Sequence, residues 1–288
     1  MQPRTQATLS YVSALVIYGT VGWPLAYINL PSEVVVLFRG ILGTITILAV
    51  IAVTRRSFDL AAVKANLGWL AASGICLGLN WVFLFAAYRT ISVAVASLLN
   101  YMAPVLLILV APVLLGEPRS KKKIVCAAVA VLGMVLVSGV IEGGAEGVTF
   151  EGIALSLAAA LGFAGMVLCN KKMGKMPLYE KASMQLAFSM VATLPFVLVN
   201  NWGATFHPDV LSIGLVVMLG VVHTGFAYCL YFRGLGVLPA QTIAVLGYVE
   251  PAVSVLVSTL ILQQPLSLLG WLGAFLILGA ATASEVVE

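Results

Sequence analysis

Apolar residues in this chain come in long unbroken runs rather than in stripes or alternations. Ten runs stand out, near 7–28, 33–53, 67–88, 91–115, 121–140, 152–170, 182–199, 210–232, 238–262 and 267–284. A hydrocarbon core about 30 Å thick takes about 20 apolar residues as a helix. The runs therefore predict ten membrane-spanning helices. Period-two alternation, the mark of a membrane β-barrel, is missing. The separators carry turn chemistry or charge: Asn29 to Ser32, Arg55 to Lys64, Gly116 to Lys123, Glu142 to Gly147, Lys171 to Pro177 and Asn200 to Pro208. The shortest connections, at Arg89 and at Gly234–Gly236, predict helical hairpins at a membrane surface.

Composition agrees. Hydrophobic residues make up 61% of the 288 positions and charged residues only 9%, far below a soluble domain's charge. The four cysteines (Cys76, Cys126, Cys169, Cys229) fall singly in apolar runs, without ligand or redox spacing, and read as small buried hydrophobes. The first run lacks a cleavage site and is followed by many like it, so no cleavable signal peptide is expected.

Charge adds a direction. With the N-terminus cytoplasmic, the inside receives Arg4, Arg55, Arg56, Lys64, Arg119, Lys121, Lys122, Lys123, Lys171, Lys172, Lys175, Lys181 and Arg233, and the outside Arg89 alone. The positive-inside rule then predicts both termini in the cytoplasm of a cell with this chain in its inner membrane. The acidic stretch from Glu142 to Glu151 falls outside.

The two halves echo each other. Tyr101 and Tyr248, Pro104 and Pro251, and the pairs Glu117–Pro118 and Gln264–Pro265 are each 147 residues apart. Arg89 and Arg233 differ by 144, as do Asn80 and Thr224, and Gly19 and Gly22 precede Gly162 and Gly165 by 143. This predicts a five-span unit over 1–141, an acidic glycine-rich external linker over 142–150, and a second five-span unit over 151–288. Five is odd, so the second unit enters from the opposite face. Inverted repeats suit alternating access, with a substrate near the midplane.

The run Leu79-Asn80-Trp81-Val82-Phe83-Leu84-Phe85-Ala86-Ala87-Tyr88-Arg89, then Ser92 through Pro104 with Asn100-Tyr101-Met102-Ala103-Pro104, and Leu114-Leu115-Gly116-Glu117, resembles the drug/metabolite transporter superfamily. The likeness is to its ten-helix EamA-type members, and Gly247-Tyr248-Val249-Glu250-Pro251 resembles the same motif in the second half. The resemblance implies export of small metabolites through a central cavity, with the fifth and tenth spans peripheral. By overall similarity the chain looks most like the YddG-type exporters of aromatic and neutral amino acids. It departs at Gln263-Gln264-Pro265, where the family often has Gly-Glu.

Counting about 1.5 Å per residue along each helix, Tyr18, Asn80, Asn100, Tyr101, His223, Thr224, Tyr248 and Glu250 fall near mid-depth, and Tyr228 lies on the same span as His223. These are the candidate substrate-binding residues. Polar groups at that depth face a bundle interior or a wet cavity, or bridge helices by hydrogen bonds. For Thr224 and Tyr18 the two readings stand level. Glu250 is the only deep acid and precedes Pro251, which suits binding, proton coupling or a hydrogen-bonded kink. His223 reads first as a packing residue. Pro104 and Pro251, at matched sites, read as kinks or hinges. Arg39, about 9 Å inside the outer boundary, is expected to snorkel to the surface or to attract a substrate carboxylate. Gly74 and Gly78 permit close helix contact.

No HExxH, nucleophile elbow or carboxylate pair supports a membrane enzyme, and no loop has room for an ATP-binding domain. Sparse polar residues at one depth do not make a channel's stripe, and a packing scaffold remains the bland alternative. The reading is a secondary transporter that needs no cofactor or metal. Its partners are a small-molecule substrate and the lipid bilayer, without nucleic acid, and it is expected to act as a monomer.

Overall fold

The structure is a computed structural model that describes residues 3–103, 105–106, 121–137, 141, 148–235, 237–238, 246–247 and 249–286. Among these there is no strand, and regular structure is helical throughout. The elements are α1 (Pro3–Gly19), α2 (Gly22–Ala26), α3 (Ser32–Val53), α4 (Leu60–Ala65), α5 (Leu67–Thr90), α6 (Val93–Asn100), α7 (Lys121–Val137), α8 (Phe150–Lys172), α9 (Leu178–Asn200), α10 (Val210–Gly220), α11 (Ala227–Leu235), α12 (Val249–Leu256) and α13 (Leu268–Val286). A π-helical turn at Val221–Phe226 joins α10 to α11, and another at Val257–Ile261 follows α12.

Among the described residues six segments are long and apolar enough to cross a membrane: Arg4–Ala26, Ser32–Val53, Leu67–Thr90, Phe150–Lys172, Leu178–Asn200 and Val210–Gly234. Ile124–Val137, Val249–Ile261 and Leu268–Ala280 are shorter apolar helices. The chain is a multi-pass membrane protein. Most of the predicted fourth span, Pro104, Tyr248, the Glu117–Pro118 pair and most of the 142–150 linker lie outside the described residues.

Polarity is arranged for lipid. Val53, Val199, Phe275, Leu260 and Ile45 stand exposed, whereas Arg39, Asn80, Gln185, His223, Thr224 and a series of serines are buried. With hydrocarbon outside, burying polar groups costs less than presenting them to the acyl chains, provided that each finds a partner.

The helices pack closely. α5 lies against α8 and α9, α3 against α9, α1 against α11 and α12, α6 against α12, and α7 against α13. Contact between α5 and α9 depends on Gly74 and Gly78. A Cβ at Gly78 would sit 2.5 Å from the Ser189 carbonyl oxygen, and one at Gly74 2.7 Å from that of Gln185. Similarly, a Cβ at Gly19 would sit 2.6 Å from the Glu250 carbonyl oxygen, so the bare backbone there lets α1 press against α12.

Several of the predicted continuous spans are interrupted, the ninth among them by the π turn at Val257–Ile261. The first breaks after Gly19, where the Thr20 hydroxyl donates to the Ile17 carbonyl at 2.7 Å before α2 begins. The eighth widens into the π turn at Val221–Phe226. The Arg55–Lys64 connection, expected to be turn and charge, contains α4, capped by Asp59, whose carboxylate accepts from the Ala62 N–H at 2.9 Å.

The two ends of the bundle differ. At one end the Arg89 guanidinium donates to the Ile28 and Leu30 carbonyls, the Asn29 N–H donates to Ser212 Oγ, and Glu33 accepts from Asn201. At the other the Gly174 N–H donates to Asn66 Oδ1, Arg56 lies 4.6 Å from the centre of the Tyr179 ring, and Arg233 donates to Gln6. The second end carries Lys171, Lys172, Lys175 and Lys181.

Candidate functional site

Between the helices lies a cavity of about 270 Å³. α1 contributes Tyr18, α3 Arg39, α5 Asn80, Trp81 and Phe85, α6 Asn100, α11 Tyr228 and α12 Glu250. Phe163 and Met166 of α8, with Phe232 of α11, extend the apolar wall, and Asn170, Lys181 and Gln185 carry the lining toward the lysine-bearing end.

Arg39 differs from the snorkelling expectation. It is only 4% exposed, and its Nε donates to Thr224 Oγ1 at 2.7 Å. Its guanidinium carbon lies 4.1 Å from the Trp81 ring centre and 5.3 Å from that of Phe85. A cation over two aromatic faces is stabilised by their quadrupoles. Thr224 belongs to the π turn, and its hydroxyl donates to the Leu219 carbonyl at 2.9 Å. Its single proton is thereby committed, and a lone pair faces Arg39.

Asn80 is a junction of three helices. Its amide donates to Asn100 Oδ1 at 2.9 Å and to the Ala159 carbonyl of α8 at 2.8 Å. Gln185 makes a parallel junction, donating to Ser73 Oγ at 2.8 Å and Asn170 Oδ1 at 2.6 Å. The Tyr101 and Glu250 side chains lie close enough to interact. Tyr18 and Tyr228 meet edge to face at 5.8 Å, and the Tyr18 hydroxyl is buried without a hydrogen-bond partner.

Of the residues singled out by sequence, Tyr18, Asn80, Asn100, Tyr228 and Glu250 line this one cavity. Thr224 stands behind it, holding Arg39, and Tyr101 lies close to Glu250. His223 is buried, its Nε2 3.1 Å from Thr20 Oγ1 at the break after α1 and its Nδ1 3.4 Å from the Met218 carbonyl. Pro251 is buried in the first turn of α12. Lys181, Gln185 and Asn170 were not singled out. The signal for Arg39 was its charge inside a span, which marks a functional position by default.

On the Arg89 side the cavity ends in a chain of hydrogen bonds. Tyr88 Oη and Ser97 Oγ are 2.9 Å apart, and Ser97 Oγ and Ser254 Oγ 2.7 Å. Farther out, Gln264 Oε1 accepts from the Val93 N–H at 3.1 Å and from Ser258 Oγ at 3.0 Å, and Ser258 Oγ accepts from the Ala94 N–H at 3.1 Å. The first amides of α6, which no intrahelical carbonyl can serve, are thus capped by side chains from the far half of the sequence.

A polar pocket among membrane-spanning helices defines the class as a multi-pass membrane protein with an internal cavity of small-solute size. Comparison with known proteins gives the class a name. The chain belongs to the EamA-like transporter family, whose pattern matches residues 7–139 and again 150–284. It is 27% identical over 259 residues to the uncharacterized transporter YxxF of Bacillus subtilis (strain 168), covering 89% of this chain and 82% of that one. Protein PecM of Dickeya dadantii (strain 3937) is 26% identical over 210 residues, covering 69% of this chain and 68% of its own. A protein of known crystal structure shares the fold at a TM-score of 0.66 and 20% identity, covering 99% of this chain and 98% of its own. The protein is a membrane transporter.

Proposed function

We propose that the protein exports small amphipathic metabolites, neutral and aromatic amino acids foremost, across the cytoplasmic membrane by alternating access. In this reading ten helices form two inverted five-helix halves, both termini are cytoplasmic, and the lysine-bearing end faces the cytoplasm. The likeness to YddG-type exporters and the double match of the family pattern support it. So does the cavity's size, which lies just below the 300–1,000 Å³ of sites for drug-sized ligands and suits a small solute.

The observation that carries the reading is the asymmetry of the cavity. It reaches Lys181 at the lysine end and is closed at the other by Tyr88, Ser97 and Ser254. A second cavity of about 680 Å³ lies on the Arg89 side, lined by Tyr88, Arg89 and Gln264, and we take the tied contact between the two as the closed gate of an inward-facing carrier. Export then requires the Ser97–Ser254 contact to part.

A double variant, Ser97→Cys with Ser254→Cys, tests this in a background whose four native cysteines are replaced. Bridging the two thiols with a short bis-methanethiosulfonate, which forms a disulfide at each cysteine and releases methanesulfinate, should abolish counterflow of labelled amino acids in proteoliposomes, and reduction should restore it. Full counterflow in the bridged protein would refute opening at this contact. Trans-stimulation by unlabelled substrate distinguishes a carrier from a channel.

A further inference from the structure

Arg39 poses an electrostatic question that the fold alone does not answer. A guanidinium deep in a bilayer is costly, and its protein partners are one hydroxyl, Thr224, and two aromatic faces, Trp81 and Phe85. None of these carries a negative charge. Its two terminal nitrogens have no hydrogen-bond partner among the described residues, and they are not enclosed, since the Tyr18 hydroxyl alone is both buried and unpartnered there. They therefore face the cavity that Arg39 lines. With Nε anchored to Thr224, the remaining pair of N–H groups presents a planar fork, the geometry that receives a carboxylate through two parallel hydrogen bonds.

The same cavity holds Glu250, whose side-chain partner is Tyr101 rather than Arg39. An arginine and a glutamic acid thus face one apolar-walled space with no ion pair between them among the described residues. Two buried charges left apart are unfavourable unless something bridges them. The group that bridges them is one carrying both opposite charges.

Resting on the transporter reading above, we infer that the cargo is a small α-amino acid in its zwitterionic form. Arg39 takes the carboxylate, and Glu250 takes the ammonium. Trp81 and Phe85, already seated under the guanidinium, shape the space beside the carboxylate. Lys181, a second cation in the lining nearer the lysine end, draws the carboxylate inward and hands it to Arg39. A hydrogen bond to a charged group contributes enough that its loss should weaken binding about tenfold or more.

The test is competition against labelled L-leucine and L-phenylalanine for the full-length protein in nanodiscs, with counterflow in proteoliposomes alongside. The competitors are each amino acid, its amide, its deaminated acid and its decarboxylated amine. The wild type should prefer the complete zwitterion over all three derivatives by about tenfold or more. Arg39→Gln should erase the preference for acid over amide, and Arg39→Lys should keep part of it. Glu250→Gln should erase the preference for amine over its absence.

Melting of each variant in detergent checks folding, and wild-type discrimination needs no variant at all. Amides that compete as well as the amino acids would overturn the inference. Uptake of a carboxylate-free metabolite without any amino acid would overturn it while leaving the transporter reading intact. Absence of transport for amino acids and for a broad panel of metabolites would overturn both.

Discussion

Thr224 has one hydroxyl proton, and it goes to the Leu219 carbonyl, so the oxygen left facing Arg39 Nε can only accept. This fixes the guanidinium without neutralising it. Replacing Thr224 by Val removes the acceptor and leaves a buried charged donor unpaired, at a cost of about 1.5–3 kcal/mol. Transport by Thr224→Val should show KM raised about tenfold or more, whereas Thr224→Ser should stay within a few-fold of wild type. Equal KM values for Val and Ser in proteoliposome kinetics would show that Thr224 matters only for packing. Sequence reasoning located Thr224, Asn80 and Glu250 because counting residues along a helix gives depth. It left Arg39 between the surface and a substrate carboxylate, favouring the surface, because depth says nothing of rotation. Whether an arginine reaches out to the headgroups or inward over Trp81 depends on the face it occupies, and that is set by neighbouring helices absent from any local count.

At the scale of elements, the same limit explains the breaks. Long apolar runs were legible because the hydrocarbon imposes them. The interruption after Gly19 and the π turn at Val221–Phe226 were not, since each is stabilised by partners distant in sequence. His223 meets Thr20, and Thr224 meets Arg39. Close approach of α5 and α9 was legible in Gly74 and Gly78. Gly78→Ala should destabilise the protein by about 1–3 kcal/mol through overpacking against the Ser189 carbonyl. Gly214→Ala in α10, where a new Cβ meets nothing within 4 Å, should instead be neutral or stabilise by up to about 1 kcal/mol. Melting curves in one detergent that give both variants the same loss would sink this account.

Gln264, where the resemblance would lead one to expect the glutamate of a Gly-Glu pair, also belongs to this scale. Gln264 caps α6 across the halves. A carboxylate there would bind the same amides more strongly, through charge and the helix dipole. Gln264→Glu should therefore slow turnover while leaving KM near its wild-type value. A raised KM with unchanged kcat would place Gln264 in the substrate path instead.

The whole molecule carries two ends of unlike charge, and the proposed orientation turns that into accessibility. Trp202, 83% exposed, lies beside the Glu33–Asn201 contact at the Arg89 end. Lys175 lies beyond α8 at the other. In intact cells a membrane-impermeant thiol reagent should label Trp202→Cys and spare Lys175→Cys until the cells are opened. The reverse pattern would invert the molecule and turn export into import. Matched offsets such as those of Tyr101 and Tyr248 led to the proposal of two symmetric halves. What those offsets could not give was the cavity itself, which exists only where α1, α3, α5, α11 and α12 converge.

The turn at Val221–Phe226 also bears on how the protein tolerates change. A π turn holds one residue more than the regular helix it interrupts. Loss of a single codon within it, with the reading frame kept, would leave the segment equally apolar and equally able to span a membrane. Because the bulge already absorbs the extra residue, the segment would close into a regular helix and α11, with Tyr228 and Tyr231, would keep its register. The contacts that the widened turn presents, Thr224 to Arg39 and His223 to Thr20, would be lost. Such a deletion should yield a protein that still inserts and folds as a helical bundle yet has lost the anchor of Arg39, a lesion invisible to any hydropathy profile.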